Sequence, residues 1–183
     1  MENSGKSKEI GRLIAMLGDQ DIERRREAVK ALAALKEAAI DALIRALATS
    51  DNNDTRWYEA NALRLIGEPV IDPLIGEMRN NTKPEFRRYG AAVLGALGAP
   101  AVGPLIEAMR DSEPELRGFI ALALCRIGEP AVDCLTRGRT RGRHAEAIDH
   151  GVEARLKQLQ QGFARDAARF ERLREVPTEL PLP

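Results

Sequence analysis

Arg56, Arg87 and Arg117 recur at intervals of 31 and then 30 residues, and Gly67, Gly98 and Gly128 recur at the same two intervals. Pro69, Pro100 and Pro130 keep step with them, as do Leu63, Leu94 and Leu124, then Leu74, Leu105 and Leu135. Self-similarity at such a period confines a chain to a stacked array of one small unit, because a single unit cannot bury its own apolar face. Stepping back 31 residues from the second unit lands on Arg25, Leu32, Leu35 and Leu43, an earlier copy with Lys36 at the glycine position. Four copies are therefore present, and Ile10, Leu13, Ile14 and Leu17 suggest a leading half-unit, since they repeat the spacing of Ile40, Leu43, Ile44 and Leu47.

Inside one unit, Ala91, Leu94 and Leu97 line one helical stripe, and Val102, Leu105, Ile106 and Met109 line a second. Each unit reads as a helical hairpin. Its turn is Gly-Glu-Pro or Gly-Ala-Pro: glycine accepts the positive φ that ends one helix, and proline fits the start of the next, where its missing N–H costs nothing. Pro73 and Pro104 must then lie in the first turn of the second helices, which places those starts near Val70 and Ala101. Ala60, Ala91 and Ala121 mark a position where helices approach closely.

Composition agrees with an all-α solenoid. Apolar residues make up 44% of the 183 residues but aromatics only 4%, so the interior is built of Ala, Leu, Ile and Val. Lys and Arg number 28, as do Asp and Glu, which excludes a globally basic nucleic-acid binder. Two cysteines, Cys125 and Cys134, supply no disulfide framework or four-ligand zinc set, and the first residues lack a signal-peptide apolar core, so a reduced, cytoplasmic protein is expected. Residues 89–106 carry no charge over 18 positions, but two prolines and four glycines interrupt them and the aligned stretches on either side are charged, so no membrane span is expected.

A 30 to 31 residue hairpin of this pattern resembles the HEAT repeat, in particular the short form named after the phycocyanobilin lyase subunits. The resemblance rests on Phe86-Arg87-Arg88-Tyr89-Gly90-Ala91-Ala92-Val93-Leu94-Gly95-Ala96-Leu97-Gly98 and on Ala101-Val102-Gly103-Pro104-Leu105-Ile106-Glu107-Ala108-Met109-Arg110-Asp111, and it covers about residues 22–138. It implies a curved helical solenoid whose second helices present a concave binding face. It also implies an alternative activity, that of an enzyme subunit attaching or detaching a bilin, although no residue is assigned a catalytic or cofactor-binding role.

The fourth unit loses the pattern in its second helix, where Thr136, Gly138 and Arg139 replace Ile106, Ala108 and Met109. The expected organisation is a solenoid over residues 1–138, an Arg/Gly-rich linker over 139–143, an amphipathic helix over 144–176 and a flexible tail over 177–183. The helix is expected to cap the last repeat or to pair with a second copy as a homodimer. Arg137, Arg139, Arg141 and Arg143 form a local cluster able to contact phosphate, though it lacks the interleaved aromatics that support base stacking. His144, Glu146 and His150 lack the partners of a metal site, so no metal and no cofactor are expected.

The leading expectation is a non-enzymatic scaffold that binds a partner protein or peptide, with nucleic acid a distant third reading. Its contacts are expected at Asp41, Arg45, Asp72, Glu77, Arg79, Glu107 and Arg110 on the second helices, with Trp57 as an aromatic anchor. Trp57 and Tyr58 read as additions to the repeat, since Arg88 stands at the place of Trp57 in the next unit. The repeated arginines read as structural, each pairing with an acid of a neighbouring unit. Gly95, Ala99 and Gly103 replace Arg64, Glu68 and Asp72, and this loss of three charges marks an expected docking patch.

Overall fold

The computed structural model describes residues 2–131; the expected linker, C-terminal helix, tail and Arg137–Arg143 cluster lie outside the described residues, as do Cys134, His144, Glu146 and His150. Within them the chain is all helical: α1 (Glu2–Met16), α2 (Ile22–Ala34), α3 (Glu37–Thr49), α4 (Asn53–Ile66), α5 (Ile71–Asn80), α6 (Pro84–Leu97), α7 (Val102–Arg110) and α8 (Pro114–Ile127). The first helices of the units, α2, α4, α6 and α8, stack on one another as one layer, and α1, α3, α5 and α7 stack as the other. Each second helix packs more closely against the first helix of the following unit than against its own hairpin partner. The half-unit α1 completes this scheme by packing on α2 as α3 packs on α4.

The core lies between the layers and repeats with the sequence. Leu32, Leu63 and Leu94 are fully buried from one layer, as are Leu43, Leu74 and Leu105 from the other. Ala60, Ala91 and Ala121 are all buried. The uncharged stretch 89–106 is broken at Gly98, where the helices on either side bend by 119°, and no single helix among the described residues is long and apolar enough to cross a bilayer.

The hairpin turns differ in detail from the expectation. Gly67 has φ 92° and ψ −146°, a region open essentially to glycine alone, and a single 3₁₀ turn, Glu68–Val70, intervenes before α5. The second helices consequently start at Ile71 and Val102, one residue later than expected, with Pro73 and Pro104 still inside the first turn. In the first unit Lys36 takes the same backbone conformation, with φ 48° and ψ −130°. A side chain there is strained by about 1–3 kcal/mol. Lys36→Gly should therefore raise the unfolding free energy by about 1 kcal/mol, net of the entropy glycine adds to the unfolded chain; urea denaturation with an unchanged m-value is the check.

Candidate functional site

The sequence-predicted contact residues divide between the two layers. Asp41 and Arg45 on α3, Asp72 and Arg79 on α5, and Glu107 and Arg110 on α7 are exposed, with Glu77 half-buried beside them. By repeat position Asp41 aligns with Asp72, Arg45 with Glu107, and Arg79 with Arg110. Since α3, α5 and α7 are neighbours, the structure assembles these side chains on one layer, acidic at Asp41 and Asp72, basic at Arg79 and Arg110, and of opposite sign at Arg45 and Glu107 with Gly76 between them. Trp57 stands apart on α4, in the other layer. It is half-buried and meets Tyr58 edge to face, with centroids 4.8 Å apart and planes at 85°.

Tyr58 belongs to the repeat after all. Tyr89 and Phe119 occupy its position at intervals of 31 and 30, an aromatic column legible in the sequence beside the non-recurring Trp57. Arg25 lies over the Tyr58 ring at 5.1 Å, a cation–π contact between adjacent units. The Tyr89 hydroxyl donates to the Asn53 carbonyl at 3.1 Å, and burial pushes its pKa up. These aromatics therefore join neighbouring units near the starts of the first helices.

The arginine column is less uniform than its spacing. Arg87 is fully buried, its Nε donating to the carbonyls of Met78 at 3.1 Å and Asn81 at 2.8 Å, and its guanidinium pairs with Glu113 and Glu115 of the next unit. This is the expected inter-unit ion pair. Arg25 and Arg56 make none among the described residues. Arg25 donates to the Gln20 carbonyl, Arg56 to Asn53 Oδ1 at 2.8 Å, and the Nε of each is buried without an acceptor among the described residues. The expectation of pairing at every repeat is thus corrected to Arg87 alone among these three, because the residue facing it changes: the residue before the first helix is Asn52, Lys83 or Glu113 in successive units.

Glu59 is a group the sequence reading missed. It is buried on α4 where the other units place Ala28, Gly90 and Ile120, and its Oε2 has no hydrogen-bond partner among the described residues. Burial raises its pKa to about 7, against which the positive charge of Arg56 pulls only in part. A single acid in an otherwise small or apolar column is the signal that could have found it.

The docking patch is corrected at Gly95. That residue is buried, and a Cβ built on it would meet Arg126 Cβ at 2.8 Å and the Ala123 carbonyl oxygen at 3.3 Å. The chain that covers it is its own next unit, α8, and glycine there permits α6 and α8 to approach. Ala99 and Gly103 are exposed. Gly95→Ala should cost about 1–3 kcal/mol by overpacking, whereas Ala99→Glu and Gly103→Asp should each stay within about 0.5 kcal/mol; thermal unfolding of the three single variants separates the two outcomes.

Cys125 is half-buried, and burial pushes its thiol pKa up, so it is a poor nucleophile. No group of three or more His, Cys, Asp or Glu that could hold a metal occurs among the described residues. A family model described as HEAT repeats matches residues 10–76 and 71–154, so the matched span starts in α1 and runs past residue 138, where the repeat fades to the eye. Among solved structures, the chain is similar to one from the complex of CpcE and CpcF of phycocyanin lyase from Nostoc sp. PCC7120, at 23% identity and a TM-score of 0.42, covering 82% of this chain and 97% of that one. No match is found among curated proteins.

Proposed function

The chain belongs to the HEAT-repeat family, and from that premise we propose that it is a non-enzymatic scaffold holding a partner protein or peptide on its layer of second helices. The observation that carries this reading is the surface of α3, α5 and α7, where Asp41, Arg45, Asp72, Arg79, Glu107 and Arg110 are exposed together on three adjacent helices. Rigid, regularly spaced helices hold such side chains in fixed register, so a partner with complementary charges loses little freedom of the scaffold on binding. The mixed signs favour a polar, specific protein contact over a polyanion, which needs a field of one sign.

The test is affinity capture with wild type and with the double charge reversal Arg79→Glu, Arg110→Glu, both at matched folded concentration. A protein held by the wild type and lost from the double variant is the expected result. Identical captured proteins in both, or none above background in either, overturn the reading.

A further inference from the structure

Unsatisfied polar groups gather at one junction of the stack, that of the first unit with the second. Among the described residues, Arg25 Nε, Arg56 Nε, Glu59 Oε2 and Arg87 Nη2 are buried without a hydrogen-bond partner, and the first three belong to α2 and α4, the first helices that pack on each other there. Glu59 is 2% exposed. Its place on α4 is that of Gly90 on α6, where an added Cβ would meet Met78 Sδ of the preceding second helix at 2.6 Å. By the repeat, Glu59 is turned toward α3, where the fully buried Leu47 stands for Met78. The elements packed on α4 pair no charge with it among the described residues. From α3 come the apolar Leu43, Ile44 and Leu47; Arg25 of α2 is engaged with the Tyr58 ring and the Gln20 carbonyl. Ahead of α6, Lys83 reaches the Ala48 carbonyl, while Tyr89 donates to Asn53, and Arg88 and the Glu68 that follows α4 are exposed. The charge that acts on Glu59 is Arg56, three residues before it on α4, and the two form no ion pair.

In a stacked array each unit is held mainly by its neighbours, so a cost placed at one junction weakens that junction before the whole. We propose that α1–α3 part from α4 as one body when Glu59 loses its proton, while α4–α8 stay stacked. Glu59 and Arg25 are kept from water by the packing of α2 and α3 on α4, and opening hydrates both. An ionised carboxylate among apolar side chains is the least tolerated of these groups, so its proton sets the equilibrium between the closed and open junction. Since α3 carries Asp41 and Arg45, the same step takes two exposed contact residues out of line with those on α5 and α7. That consequence rests on the second-helix reading; the opening itself does not.

The experiment is amide hydrogen exchange of the full chain at pH 6 and pH 8, with each rate divided by that of the unstructured chain at the same pH to give a protection factor. Protection over residues 22–49 is expected to be about tenfold lower at pH 8, as a carboxyl titrating at about 7 when buried and 4.5 when open requires, while protection over residues 84–127 stays the same. Glu59→Gln should remove the difference. Glu59→Ala, which copies Ala28 of the first unit, should do the same and takes its place if the glutamine variant does not fold. The proposal is overturned if residues 22–49 are equally protected at both pH values, if residues 84–127 lose protection by the same factor, or if the folded Glu59 variants keep the wild-type difference. No partner is present in the measurement, so none of these results bears on the second-helix surface.

Discussion

Replacing Arg87 with methionine should lower the unfolding free energy by about 3–5 kcal/mol, the range seen when one partner of a buried charged network is removed. The side chain is fully buried, and its loss strands the carbonyls of Met78 and Asn81 where the α5 helix ends. Methionine refills most of the volume, so the deficit isolates the polar contacts from packing. Glu113 and Glu115 are about half-exposed and regain water, so Glu113→Gln should cost far less than Arg87→Met. Arg87→Lys keeps the charge but cannot span two carbonyls and two carboxylates at once, and should fall between them. Guanidinium denaturation of the three variants ranks these effects; equal midpoints for Arg87→Met and Glu113→Gln would show that the carboxylates, not the carbonyls, hold the arginine.

The second large effect concerns Glu59 and appears as a dependence on pH. Its pKa is raised by burial from 4.5 to about 7, so between those values the folded chain holds a proton that the unfolded chain has released. Stability from this group is complete below pH 4.5 and is lost as pH rises through 7. A shift of that size amounts to about 3 kcal/mol. Glu59→Gln is neutral at every pH and should remove the slope, so that the variant is more stable than wild type by about 2–3 kcal/mol at pH 8 and no more stable at pH 4. Unfolding free energies measured at half-unit intervals from pH 4 to 8 decide it. A wild-type curve parallel to that of Glu59→Gln would mean that water reaches the carboxyl and its pKa is ordinary.

Both effects bear on how much a sequence of this kind discloses. Gly67, Gly98 and Gly128 in phase with the Leu63 and Leu74 columns set hairpin boundaries and core because each obeys a rule every unit must satisfy. What recurs is legible. Glu59 is a departure, visible only as one acid in a column of Ala28, Gly90 and Ile120, and nothing in its own neighbourhood announces burial. The burial of Gly95 is hard to read from sequence for a related reason. Its counterpart Arg64 looks like a surface residue, yet Arg64 is half-buried, with its guanidinium turned to Asn61 Oδ1 at 2.9 Å. A long arginine stem can cross an interface between helices while its head stays near water, so charge at one unit does not certify exposure at the next. Which arginine finds an acid could not be read from the arginines at all. It depends on Asn52, Lys83 and Glu113, positions where each helix needs some residue at its start but tolerates several.

Because each second helix rests chiefly on the first helix of the following unit, the unit of covalent repetition and the unit of packing are half a period out of phase. The genetic module runs from Ile22 to Ser50, but the mechanical module runs from α1 to α2, from α3 to α4, and onward. An array that ends at the loop before α4 or α6 leaves its last helix with no following first helix to lie on. One cut at the glycine turns, at Gly67 or Gly98, begins and ends with completed pairs. The glycine turn is thus the joint at which such an array can end, or be spliced to another, with its helix pairs complete.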